Sequence, residues 1–196
     1  GRKSVPMQPT VFHLIGPPGV GKSTIGRALA RGDDVRLIDS HRISSPILNA
    51  VGADGVTPLP PEVWPRVQVV REAVLEVIEE LAPAQLSFVF TNWLRGDDES
   101  ERATMDDLVR LAELRSSLFV PVVLSCRTDE LVQRVAMEDR RARLKLVDPA
   151  RAAYLNDEVP PFRPEHPNTL LLDVTELTPE AAAGAILGWA EHRRAP

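Results

Sequence analysis

The chain is short of several things, and each shortage excludes a class of protein. It has one cysteine, Cys126, in 196 residues. No intrachain disulfide can form, which fits a reducing compartment. No apolar run approaches the roughly 20 residues of a membrane-crossing helix. The first ten residues are polar and carry two prolines, Pro6 and Pro9, with no apolar segment of a secretory leader. A cytoplasmic location without a membrane partner is therefore expected. Positive charge is also scarce: Lys and Arg number 23 against 28 Asp and Glu, a net charge of -5. Proteins that live on nucleic acid are usually basic, so this balance disfavours that partner.

What is present is the ordinary balance of a globular protein, 43% hydrophobic and 26% charged. That length and balance suit one domain over 1–196, with residues 1–9 as a flexible leading segment. Apolar bursts alternate with amphipathic stretches, the pattern of a parallel α/β sheet. The expected strands are 10–15, 35–38, 86–91, 119–125 and 169–174. Helices are expected at 22–31, with Gly32 closing it, to about 81 after the Pro-rich stretch, at 98–115, at 128 to about 141, and from 178 to about 193. Glycines and prolines punctuate 40–61, which reads as a loop with at most a short helix. The arginine- and proline-rich stretch 142–167 reads as a lid or loop. Together these give a doubly wound, five-stranded parallel sheet, with ligands at the carboxyl ends of the strands.

The decisive motif follows the first strand. Gly16-Pro17-Pro18-Gly19-Val20-Gly21-Lys22-Ser23 matches G-x-x-x-x-G-K-[ST] in full. Glycines let the backbone curl so that successive N–H groups face an anion. The following helix turns its positive end to the same place. Lys22 can reach the β- and γ-phosphates, and Ser23 can set its hydroxyl on Mg²⁺. Thr24 either faces phosphate or is a first-turn helix residue. A nucleoside triphosphate is the expected ligand. No Asn/Thr-Lys-x-Asp guanine motif is present, so ATP is favoured.

From this loop onward the layout resembles the small P-loop kinases, the group that includes shikimate kinase, gluconate kinase and chloramphenicol phosphotransferase. The resemblance implies ATP- and Mg²⁺-dependent phosphotransfer to a hydroxyl of a small metabolite or antibiotic. It also implies roles for particular residues. Asp39, at the end of the second strand, would be the carboxylate that accepts the acceptor hydroxyl's proton, a job its chemistry suits. Asp39-Ser40 also resembles the pair at this place in chloramphenicol phosphotransferase. Aspartate equally often caps a turn or helix, so that reading of Asp39 stays open. Arg134 would lie against adenine, and Arg140 or Arg141 would swing onto the phosphates, with Arg140 favoured. These arginines belong to a short arginine-rich lid. Asp173 leaves the fifth strand toward the loop that lines the base.

The chain departs from many P-loop proteins at the end of the third strand. Thr91-Asn92-Trp93 stand there with no acid for the Mg²⁺ water shell. Thr91 and Asn92 are candidates for acceptor or water contacts, or Asn92 caps a turn. The Pro-rich segment with Trp64 is placed over the acceptor site. His13 reads as a strand residue with a satisfied ring. Two other functions stay in view: a polynucleotide end kinase, and a regulatory nucleotide-binding protein without a separate acceptor.

Overall fold

The computed structural model describes residues 8–54, 57–96, 98, 101–136 and 148–193. Five strands form the sheet: β1 (Thr10–Ile15), β2 (Val35–Asp39), β3 (Ser87–Asn92), β4 (Leu118–Ser125) and β5 (Leu170–Asp173). All pairs are parallel, in the order β2-β3-β1-β4-β5. The connecting helices are α1 (Lys22–Leu29), α2 (Ser40–Ala50), α3 (Val63–Glu80), α4 (Glu101–Leu114), α5 (Thr128–Val135), α6 (Pro149–Asp157) and α7 (Pro179–His192). This is the doubly wound α/β arrangement that the sequence implies.

Every residue of β1 is buried, which explains its lack of polar alternation: helices cover both faces. Phe12 and Leu14 point to one face, against Ile25 and Leu29 of α1 and Ile186 of α7. Val11 points to the other with Phe88, Phe90 and Phe119, against Ile78 of α3 and Met105 and Leu108 of α4. Each such side chain contributes about 1.5–3 kcal/mol when fully removed from water. The chain visits β2 and β3 on one side of β1, then β4 and β5 on the other. The loops after β1, β2 and β3 therefore converge at one end of the sheet.

Two expectations need correction. Residues 40–50 are not irregular but form α2. Asp39 caps it by accepting from the His41 N–H at 3.1 Å. The helix tolerates Pro46 and stops at Gly52, whose φ is +67°. The Gly52 and Ala53 N–H groups close on the Asn49 and Leu48 carbonyls, the paired bonds of a glycine C-cap. The breakers that suggested a loop lie beyond that point. Likewise, Pro149–Asp157 is helix α6 inside the stretch read as lid or loop. Asp148 caps it through the Ala150 and Arg151 N–H groups, and Pro149 takes the first turn, where its missing N–H costs nothing.

Smaller differences concern ends. Helix α1 closes at Ala30 rather than at Gly32, and α5 ends at Val135. Residues 137–147, with the rest of the helix expected there, lie outside the described residues.

Candidate active site

The phosphate loop runs from the end of β1 into α1. Gly19 and Gly21 have φ of +98° and +108°, left-handed values that L side chains rarely adopt. A Cβ on Gly19 would also sit 2.6 Å from Val135 Cγ2, so the loop packs directly on α5. Val20 buries its side chain in the core. Lys22 Nζ donates to the Gly16 carbonyl at 2.5 Å and the Pro17 carbonyl at 2.9 Å. Its charge thus sits within the curl of the loop. Ser23 is buried at the start of α1, and Thr24 is exposed.

Asp39 ends β2 beside this loop, 6% exposed. Its Oδ1 accepts from the His41 N–H and from the Thr91 hydroxyl at 3.3 Å. The Thr91 hydroxyl in turn accepts from the Ser40 N–H at 3.2 Å. The helix-capping role is therefore present. It does not remove the carboxylate from the site: Asp39 lines the same cleft as Lys22, Ser23 and Thr24.

That cleft holds about 1020 Å³. Its inner part is the phosphate loop, Asp39, Thr91 and Asn92. Its outer part is walled by Ile43 and Leu48 of α2, Trp64 and Arg71 of α3, Trp93, and Glu101 of α4. Arg95 and Asp98 also line it. Burial and the neighbouring Asp98 push the Glu101 carboxyl up, while Arg95 opposes the shift. The loop that carries Arg95 is fixed from outside, since Gly96 N–H donates to the Pro160 carbonyl at 2.8 Å and Phe162 N–H to Leu94 at 3.2 Å. The segment after α6 is thereby tied to the cleft wall.

Arg71 is the residue that sequence reasoning missed. It is 9% exposed. Its Nη1 donates to Asp107 Oδ2 at 2.6 Å and its Nη2 to the Thr104 carbonyl at 3.1 Å. A signal existed: Arg71 falls four residues after Val67 and three before Val74, within the apolar phase of α3. A charge in that phase marks a buried ion pair or a site.

No family model matches the chain. A shikimate kinase from Corynebacterium efficiens is 54% identical over 33 residues, 17% of this chain and only 20% of that protein. Solved structures match over nearly the whole length. A gluconokinase from Sinorhizobium meliloti covers 94% of this chain and 93% of its own, with 19% identity and a TM-score of 0.61. A sugar kinase from Janibacter covers 93% and 95%, with 19% identity and a TM-score of 0.61. A shikimate kinase from Acinetobacter baumannii, solved with shikimate, covers 99% of both, with 18% identity and a TM-score of 0.53. The chain has the small P-loop kinase fold.

In this fold, Arg134 of α5 packs on the phosphate loop. Its guanidinium makes four bonds: to Glu130 at 2.8 Å, and to the carbonyls of Val20 at 3.2 Å, Val174 at 3.0 Å and Thr175 at 3.1 Å. Arg134 thus ties the phosphate loop to the loop after β5. Asp173 shapes that second loop. Its Oδ1 accepts from the Thr175 N–H at 2.8 Å and hydroxyl at 2.6 Å, and these bonds hold its carboxyl below the usual range. Asp173 therefore acts on its own backbone turn. Arg140 and Arg141 lie outside the described residues.

Among the described residues, no three or more His, Cys, Asp or Glu side chains gather as a metal cage. The donor set would suit Mg²⁺ held mainly by the phosphates of a nucleotide and water, to which the Ser23 hydroxyl could add a protein ligand.

Proposed function

We propose that this protein transfers the γ-phosphoryl group of ATP to a hydroxyl of a small molecule, with Mg²⁺. One observation carries the reading: the phosphate loop and Asp39 share a cleft whose outer part is large and walled by side chains from three helices. A regulatory nucleotide-binding site has no need of that second part.

In this reading, the N–H groups of Gly19, Gly21 and the α1 terminus bind the phosphates. Proline itself lends no N–H, so Pro17 and Pro18 serve by stiffening the curl. Lys22 neutralises the oxygens of the transferred group, and Ser23 holds the metal. Mg²⁺, when bound, offsets the charge that develops on the phosphates. Asp39 orients the acceptor hydroxyl and takes its proton as the oxygen attacks in line. Thr91 keeps that carboxylate in place. Arg134 holds the base loop against the phosphate loop, with Asp173 and Thr175 shaping the turn that receives adenine. Arg140 supplies positive charge to the transferred group. The chain works as a single kinase-like domain in the cytoplasm.

The outer cleft favours an acceptor with a ring as well as a hydroxyl. Trp64 and Trp93 both line it, and Trp64 is 55% exposed. Aromatic faces of this kind receive flat or ring-shaped ligands.

The test is ADP release from MgATP across a panel of sugars, polyols, nucleosides and aryl glycosides, with phosphorylated product identified by ³¹P NMR. A neutral ring-bearing alcohol that raises turnover and appears phosphorylated supports the reading. Release that no acceptor accelerates, with nucleotide still bound, contradicts it.

A further inference from the structure

His13 is the one histidine of the sheet, and it lies in the middle of the central strand. It is 0% exposed. A core strand would ordinarily place an aliphatic residue there, on the face shared with Val11 and Phe88. Its Nε2 lies 3.0 Å from Asn92 Oδ1, and its Nδ1 has no hydrogen-bond partner. Together these select the tautomer. A buried N–H without an acceptor is the costlier orphan, so Nδ1 is the bare nitrogen and Nε2–H donates to Asn92. Burial holds the His13 pKa near 4, so the ring is neutral around neutral pH.

Asn92 is the last residue of β3 and pairs in register with Ile15. Its carbonyl accepts from the N–H of Gly16, the first residue of the phosphate loop, at 3.3 Å. Asn92 lines the cleft with Lys22, Asp39 and Thr91. On a planar carboxamide Oδ1 and Nδ2 diverge, so with Oδ1 on His13 the Nδ2 group points away from that ring.

We infer that His13 is a positioning residue, holding the Asn92 carboxamide so that its two N–H donors face the phosphoryl-transfer cleft. There they take an oxygen of the transferred phosphoryl group. The tip of β3 then reads oxygen lone pairs on a substrate. An acid at this place would do the opposite and offer oxygens to the water shell of a metal. The inference rests on the kinase reading for its consequence, while its geometry stands on His13 and Asn92 alone.

The experiment has two arms on the full chain. In the first, ¹⁵N NMR of wild type is expected to show His13 as the Nε2–H tautomer, without titration between pH 5.5 and 8. The Asn92 side-chain amide signals are expected to shift when Mg-AMP-PNP is added. An Nδ1–H tautomer, or Asn92 amide signals unmoved by saturating Mg-AMP-PNP, overturns the inference even if no acceptor is ever found. In the second, kcat for ADP release is compared for folded His13→Phe, His13→Gln, Asn92→Ala and the double variant His13→Phe/Asn92→Ala. His13→Phe and Asn92→Ala are each expected to lose about tenfold in kcat, with KM for MgATP within about twofold. The double variant is expected to lose no more than either single, since both break one unit. His13→Gln, which keeps a donor, is expected to recover most of the loss. Unchanged kcat in His13→Phe, or losses that multiply in the double variant, overturns the inference. Loss of nucleotide binding in every variant also overturns it, whereas a wild type that binds nucleotide and phosphorylates no acceptor strikes the kinase reading instead.

Discussion

At the phosphate end of the cleft the chain presents mostly backbone, and at the outer end it presents mostly side chains. The loop from Gly16 to Ser23 owes its shape to two left-handed glycines and a helix start, all within eight consecutive residues. The outer cleft draws Ile43, Trp64, Arg71, Trp93 and Glu101 from segments far apart in the chain. The first kind of site tolerates almost no change at its glycines. The second can be altered one residue at a time, and this is how one fold comes to serve different acceptors.

That contrast predicts a graded set of effects. The largest is at Gly19. Gly19→Ala forces a left-handed alanine and drives a methyl into Val135. It is expected to cost about 2–5 kcal/mol of stability and to weaken nucleotide binding sharply. Urea unfolding and a fluorescent-ATP titration measure the two.

Next comes the pH dependence set by His13. Its pKa falls from 6.5 to about 4, chiefly by burial and also by the charge of Arg71, with the Asn92 bond opposing. Below pH 6.5 the unfolded chain takes up a proton that the folded chain refuses until about pH 4. Stability from this residue is therefore full above pH 6.5 and declines as pH falls, by up to about 3 kcal/mol. The unfolding free energy of wild type, compared with His13→Gln from pH 8 to 4.5, should show the extra slope only below 6.5.

At the outer cleft, Arg71→Ala leaves Asp107 without its partner. Asp107 is about half exposed, with a side-chain accessibility of 43%, so water offsets part of the loss. The expected cost is about 1–3 kcal/mol by thermal unfolding. The smallest effect on stability is at Trp64. Trp64→Ala is expected to move stability by less than about 0.5 kcal/mol, because the residue is already exposed. It should nonetheless raise KM for the acceptor about tenfold while leaving KM for ATP unchanged. If Trp64→Ala and Gly19→Ala impair the same step equally, the division between the two ends of the cleft fails.

The same contrast explains what could be read in the sequence. The phosphate loop was legible because its chemistry is local: Gly19, Gly21, Lys22 and Ser23 act through spacing alone. The strands were legible because burial on both faces leaves apolar runs such as Val11 to Ile15. Helix α2 was not, because the glycines and prolines from Gly52 onward mimic a loop, while the cap at Asp39 works through a hydrogen bond. Nor was α6, where Asp148 and Pro149 start a helix in a proline-rich stretch. The pairings of Arg71 with Asp107 and of His13 with Asn92 span 36 and 79 residues, and no local pattern encodes them. Arg134 was legible as a candidate for the nucleotide. Its bonds to Val20, Val174 and Thr175 were not, because they depend on where three separate loops meet.

The central claim is that Asp39 serves the acceptor and not the nucleotide, and single-turnover kinetics with the Asp39→Asn variant test it most directly. Fluorescent-ATP binding should stay within about threefold of wild type, while phosphoryl transfer to the best acceptor falls by about 10²–10⁴-fold. Transfer at the wild-type rate, or a loss confined to nucleotide binding, would contradict the account.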